Sequence, residues 1–332
     1  MNKISVIVCH HKGTFIHNFV ESVKKSLYAN FEIIVVTSDK SLGNIRGCRV
    51  IVTDEPLPAS KRNIGADCAN GEYLAFFDDD VEVDYRTLCN LQQCLDKTQA
   101  GMVYGKLYNM EHRRRLDEAG GFLTWTGFIW SRAEQNIVDE GQFDEVEYIL
   151  AGKSASCMIR TEDFFACGRF DQDFGILGEE TDLSWRVWLM GKKVAFCPQA
   201  IGYHAFNTKF KPAQDYYTSD RVHFNGCRNY ITMLIKNLGG CNLWKIVPIH
   251  MMIWIVTGFT MIMSGRRAQG WNVLRGIGYV IRNLRMILEK RTKIQMLRKV
   301  NDKWLMEFVM RNPSRSYFTQ RLKRYISLGL HG

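Results

Sequence analysis

Ten cysteines are present, yet no two of them form a CxxC pair. Cys9, Cys157 and Cys197 sit instead inside apolar, strand-like runs, the pattern of reduced, buried thiols in a cytosolic protein rather than of a disulfide framework. The first residues, MNKISVIVCHHKG, lack the apolar length and the small-residue cleavage site of a signal peptide, so a first β-strand is expected there. No internal repeat and no low-complexity segment interrupts the chain. The C-terminal region is basic but has no RNA- or DNA-binding signature, which argues against a nucleic-acid partner.

The 332 residues are 46% hydrophobic, enough for a full core in one large domain with an appendage, or in two domains. The net charge of +10 is unevenly spread. From Arg266 onward, 16 basic and 3 acidic residues leave +13, and the preceding residues carry −3. A cationic tail on a mildly acidic body implies an anionic partner for the tail.

Ile4–Val8, Glu32–Val36, Arg49–Val52 and Glu72–Phe77 are continuous apolar runs, separated by stretches of helical spacing. Phe15, Phe19, Val23 and Leu27 mark one such helix and Lys61–Cys68 another; Leu88, Leu91 and Leu95 mark a third. Continuous apolar strands alternating with helices predict a mainly parallel sheet covered on both faces. Residues 101–150 are irregular and rich in Gly, Arg and Trp, which suggests an insertion. Ser154–Ile159 and Lys193–Phe196 are further strand candidates, with a helix over Asp182–Met190 between them.

Three acids, Asp78, Asp79 and Asp80, end the fourth strand. Adjacent carboxylates repel, and burial raises their pKa unless a cation compensates. Hard oxygen donors suit Mg2+ or Mn2+, and open α/β sheets bind ligands at the carboxyl ends of their strands. A solvated acidic turn is the plainer alternative for the trio taken alone. Glu179, Glu180 and Asp182 precede the helix ending at Gly191. They suit a helix N-terminus, and equally a carboxylate base. His204, after a strand-like stretch, is a possible imidazole donor to the same metal, although a lone histidine is more often structural.

Taken in order, these segments resemble family 2 glycosyltransferases of the GT-A fold, especially bacterial rhamnosyltransferase-like members. The resemblance runs from about Ile4 to Asn237, through SVIVCHHKG, EIIVVTSDKS, ASKRNIGADCANGEYLAFFDDDVEVD and AGKSASCMIRTEDFFACGRFDQDFGILGEETDLSWRVWLMG to GYHAF and RNYITMLIKN. It implies a metal-dependent, inverting transfer of a hexosyl or deoxyhexosyl group from a nucleotide-sugar donor to an acceptor hydroxyl on a glycan or lipid-linked acceptor. It implies a catalytic region over 1–237, with nucleotide-sugar binding in 1–100 and the acceptor side in 101–237. Asp80 and Asp78 would hold the metal with His204, and Asp78 or Asp79 would contact the donor. Lys61, Arg62 and Asn63 match the segment that approaches the nucleotide. Glu180 stands where the family usually has a catalytic Asp, so Glu179, Glu180 and Asp182 all remain candidate bases. The family usually has an acid after the second strand; here Thr37 occupies that position, with Asp39 the nearest substitute.

Two other functions compete: a nucleotide-sugar-binding protein without transfer activity, and a membrane-surface scaffold using the basic tail. A nucleotidyltransferase is disfavoured because HHKGTF is not its glycine-rich basic loop. Residues 238–332 are expected to form a helical, basic, amphipathic extension. Ile246–Met263 has nearly the length of a membrane span but contains Pro248, His250 and Gly258, and a crossing would put the cationic tail on the wrong side. An interfacial or re-entrant arrangement on an anionic membrane is expected instead, with a packed subdomain or a homo-oligomer contact as the alternative. The expected location is cytoplasmic, on the inner face of the cell membrane.

Overall fold

The computed structural model describes residues 2–133, 137–206, 208 and 219–314. The chain divides into two compact units, Met1–Gly121 with Ser131–Pro212, and Phe122–Trp130 with Ala213–Gly332.

The first unit is α/β. Its strands are β1 (Ile4–His10), β2 (Phe31–Thr37), β3 (Arg49–Val52), β4 (Tyr73–Asp78), β5 (Val81–Val83), β6 (Met102–Asn109) and β7 (Leu116–Glu118). A short β8 (Gly121–Leu123) pairs with β9 (Ile129–Ser131), and β10 (Glu147–Tyr148), β11 (Ser156–Arg160) and β12 (Val194–His204) follow. One ten-stranded sheet has the order β10-β12-β6-β11-β4-β1-β2-β3, with β5 beside β12 and β7 beside β6. The pairs β3–β2, β2–β1, β1–β4 and β12–β6 are parallel, and β11 runs antiparallel between β4 and β6. The helices of this unit are α1 (Phe15–Lys24), α2 (Pro58–Asp67), α3 (Thr87–Thr98), α4 (Thr161–Ala166) and α5 (Glu179–Leu189). The aliphatic residues of β1, β2 and β4 are fully buried with Phe19, Val20, Leu88 and Leu91, as continuous apolar strands require.

Three sequence expectations change. Leu27 lies beyond the end of α1 and is exposed, because the helix stops one turn earlier. The helix over Asp182–Met190 begins at Glu179, so its acids occupy the first turn rather than precede it. Residues 102–109, expected in an insertion, are the buried β6, between β12 and β11. Gly105 and Lys106 concealed that strand. A side chain at Gly105 would meet the Ala200 carbonyl at 2.6 Å, and Lys106 is buried because Asp139 and Asp144 pair with it at 2.9 and 2.6 Å.

The second unit consists of α6 (Asp220–Asn237), α7 (Gly240–Met263), α8 (Arg267–Arg282), α9 (Leu284–Met296) and α10 (Asp302–Val309), with the tip of the β8–β9 hairpin. Cys227, Ile231, Trp254, Met261, Val273 and Ile277 are at its centre. Helix α6 thus groups with the helices, so the packing boundary falls before it and not at 237, the expected functional boundary. His250 is fully buried and engages both ring nitrogens, one with the Thr126 carbonyl at 2.8 Å and the other as acceptor from Trp254 Nε1 at 2.9 Å. Burial pushes its pKa down to about 4, so it is a neutral structural histidine.

Candidate active site

The strand order reverses direction beside β1, and β1 and β4 lie in register there with Cys9 opposite Asp78. Their carboxyl ends open the crevice in which an α/β sheet binds ligands. The acidic trio sits at this point, and its three side chains go to three different partners. Asp79 Oδ2 meets His10 Nδ1 at 2.7 Å, Asp78 accepts from Arg62 at 2.8 Å, and Asp80 Oδ1 lies 3.4 Å from His204 Nε2.

Asp80 and His204 are 124 positions apart and meet because β5 and β12 pair antiparallel, with His204 opposite Val81. Asp78, Asp80 and His204 can each turn one ligand atom into a space where all three lie within 4.8 Å of one another. Two carboxylates and an imidazole form an acceptable donor set for a divalent cation. The electrostatics point the same way. Burial disfavours a charged imidazole, yet Asp80 and Asp117 raise the His204 pKa from 6.5 to about 10. The cluster collects a proton where no stronger cation is available.

Asp117 was not singled out from sequence. It is buried on β7, where its Oδ2 meets His204 Nδ1 at 2.8 Å and its Oδ1 accepts from Lys153 at 2.7 Å. Holding Nδ1 directs Nε2 at Asp80, the arrangement by which an outer carboxylate orients a metal-binding histidine. Its surroundings, RRRLDEAGG, give no periodic signal that would mark it.

Helix α2 buries Lys61, Arg62 and Asn63 together, which is unusual for such polar residues. It can lie against the sheet because a methyl group at Gly65 would collide with Ile7. The Arg62 guanidinium bridges two carboxylates, donating to Asp78 Oδ1 at 2.8 Å and to Glu179 Oε1 at 2.9 Å. Burial works against that charge, but the two carboxylates more than offset it and hold its pKa above the usual range. Removing one member of a buried ion network leaves charges uncompensated. Arg62→Met is therefore expected to lower unfolding free energy by about 3 kcal/mol in urea titrations. A change below about 1 kcal/mol would show that the bridge contributes little.

Lys61 Nζ donates to the His10 carbonyl at 2.7 Å and to Ser38 Oγ at 2.9 Å, so it lies across the ends of β1 and β2. Ser38 also meets His11 Nδ1 at 2.9 Å and is a second residue that the sequence did not single out. Thr37 is buried, with its hydroxyl accepting from Asp39 N–H at 2.9 Å. Asp39 turns back on Ser41, accepting from its N–H and its hydroxyl, and these bonds lower the Asp39 pKa. Asn63, expected at the nucleotide, is committed elsewhere. Its amide donates to the Phe170 carbonyl at 2.9 Å and accepts from Phe170 N–H at 3.1 Å, which fixes the loop before α5.

That loop places the three acids of α5. Leu177 and Gly178 both have positive φ, 74° and 84°, and turn the chain sharply into the helix. Glu179 is engaged by Arg62, and Asp182 is fully buried against Arg186 Nε at 3.0 Å. Glu180 forms no ion pair among the described residues. Loss of water and the adjacent Glu179 charge raise its pKa well above the ordinary carboxylate value.

The sequence model described as Glycosyl transferase family 2 matches residues 5–149. The O-antigen biosynthesis protein RfbC of Myxococcus xanthus is 27% identical over 240 residues, which is 65% of this chain and 19% of that protein. The chain therefore spans about a fifth of the length of that relative. Among solved structures, GalNAc-T7 with UDP, GalNAc and Mn2+ superposes with a TM-score of 0.55 and 18% identity over 71% of this chain and 48% of that one. The mannosyltransferase PcManGT of Pyrobaculum calidifontis, with GDP-Man and Mn2+, gives 0.52 and 11% over 98% and 85%. S. aureus TarS gives 0.51 and 16% over 75% and 43%. At such identities the structures attest to the fold alone. Residues 5–149 thus resemble glycosyl transferase family 2, and the chain has the GT-A fold, with a helical C-terminal part.

Proposed function

We propose that this chain is a metal-dependent, inverting glycosyltransferase. It moves a sugar from a nucleoside-diphosphate sugar to an acceptor hydroxyl, in the synthesis of a surface polysaccharide or lipid-linked glycan at the inner face of the cell membrane. The observation that carries the proposal is the Asp78, Asp80 and His204 donor set at the strand ends. The UDP, GDP-Man and Mn2+ named for the two structural relatives, and the O-antigen role named for RfbC, support donor class, cofactor and setting.

A divalent ion, Mg2+ or Mn2+, held by Asp78, Asp80 and His204 would supply positive charge opposite the departing diphosphate. The rest of the chemistry falls to the chain. Lys61, with Thr37 and Asp39, borders the end of β2, where the nucleoside is proposed to lie. Asp79, fixed by His10, and Arg62, fixed by two carboxylates, line the donor side. Glu180 takes the proton from the acceptor hydroxyl. Glu179 and Asp182 are less suited to that step, because each is engaged by an arginine. A raised pKa makes Glu180 a stronger base than an ordinary carboxylate. Attack opposite the leaving group inverts the anomeric carbon, and holding both substrates in line supplies much of the acceleration.

The test is a panel of UDP-, GDP- and dTDP-sugars with Mg2+ or Mn2+, following nucleoside diphosphate release. Donor binding without release or transfer across acceptors would indicate a binding protein. Asp117→Asn is expected to weaken Mn2+ binding by about 10–100-fold, read by direct titration of the folded chain. An unchanged affinity would remove Asp117 from the site.

A further inference from the structure

Helix α7 has two distinct faces. Ile246, His250, Trp254, Gly258 and Met261 are buried within the helical unit. Trp244, Ile249, Met252, Val256, Phe259 and Met263 are exposed at helical spacing, from 39% at Ile249 to 86% at Met263. A continuous apolar stripe of this length on the outside of a helix is a contact surface awaiting a partner.

We infer that this stripe seats the chain on an anionic lipid bilayer, with α7 lying in the plane of the headgroup–acyl boundary and not crossing it. The inference rests on the reading of the chain as an enzyme working at a membrane face, and it specifies the surface and its orientation.

Charge identifies the partner. The neighbouring helices expose Arg267, Arg275 and Arg282 on α8, and Arg285 and Lys293 on α9. Trp271, 62% exposed, lies between the first two arginines. The exposed acids of the described part of this unit are Asp220, Glu289 and Glu307. Apolar residues with Trp and Arg beside them suit the boundary between acyl chains and anionic headgroups. A second copy of the same face would instead bring like-charged arginines together.

The packing sets the orientation. Helices α7 and α8 form a tight hairpin, because the Gly258 carbonyl and Gly270 approach more closely than any side chain would permit. Helix α8 therefore returns alongside α7, bringing Arg275 and Arg282 with it. A crossing α7 would draw those charges into hydrocarbon, whereas an in-plane α7 leaves them at the headgroups.

The test uses the full chain and vesicles of phosphatidylcholine alone or with 30% phosphatidylglycerol. Wild type is expected to sediment with the anionic vesicles and to be released by salt. The exposed-face double variant Val256→Glu/Phe259→Glu should lose at least tenfold in binding, with unchanged circular dichroism and unchanged donor turnover in solution. An impermeant maleimide is then added to bound protein. The exposed Cys241 at the start of α7 and a Ser264→Cys just past its end, off the stripe, should both react from outside. Reaction at one end only means a crossing helix and overturns the in-plane assignment. Binding retained by the double variant overturns the stripe but leaves the membrane reading intact. Failure of wild type to bind any vesicle defeats both. A dimer that the double variant abolishes would assign the stripe to a second copy and overturn the lipid assignment.

Discussion

Asp80→Asn should reduce sugar transfer by more than roughly a hundredfold with the fold intact, since loss of an outer carboxylate alone costs about 10–100-fold in metal affinity or activity. Asp80 is buried, faces His204 Nε2 and belongs to the three-residue donor set. Mn2+ titration should show a matching loss of affinity. A second readout comes from pH. The His204 pKa is raised from 6.5 to about 10, so in the metal-free chain its protonated ring favours folding fully below pH 6.5. That contribution declines as pH rises toward 10, and in Asp80→Asn the decline should be shallower because one of the two carboxylates is gone. Metal binding must displace this proton, so Mn2+ affinity should rise over the same range. A folded Asp80→Asn enzyme with wild-type turnover and wild-type Mn2+ affinity would remove the aspartate from the mechanism.

Glu180→Gln should lower transfer by about a hundredfold to ten-thousandfold, the usual contribution of a positioned base. Donor binding should be preserved, since the amide keeps the shape and loses only basicity. The acidic limb of the wild-type pH profile should report the raised Glu180 pKa, and it should disappear in the variant. Stability should move in the opposite direction. A carboxyl whose pKa is higher in the folded chain binds its proton more tightly there, so wild type loses stability as pH rises past the unfolded value of about 4.3. Glu180→Gln has no such loss and should be more stable than wild type above that pH, as measured by thermal unfolding. Retained transfer in Glu180→Gln, with loss in Glu179→Gln or Asp182→Asn, would reassign the base.

Legibility of the site followed the range of the interactions. The Asp182–Arg186 pair is an i,i+4 contact on one helix and was in principle readable from spacing. The Arg62–Glu179 pair joins residues 117 apart and was not. The same applies to Asp117, whose partners His204 and Lys153 lie 87 and 36 residues away. Strand β6 was missed for a different reason. The hydrophobic pattern is broken at Gly105 and Lys106, and each is tolerated only because of what the fold places opposite it. In the helical part, Trp271, Leu274, Ile277, Ile281, Leu284 and Leu288 recur at helical spacing along the sequence. The structure buries Ile277, half-buries Leu274 and exposes the other four, with α8 and α9 breaking at Asn283.

Local sequence was sufficient for the parallel strands β1 to β4, for the acidic trio at the end of β4 and for the change in character near residue 240. Each of these is a run of like residues whose burial or charge acts on immediate neighbours. The tertiary structure decided which acid is left without an arginine, which carboxylate steers His204 and which face of α7 remains bare. Those outcomes depend on pairings between residues distant along the chain, and only the packed sheet and helices bring them within bonding distance.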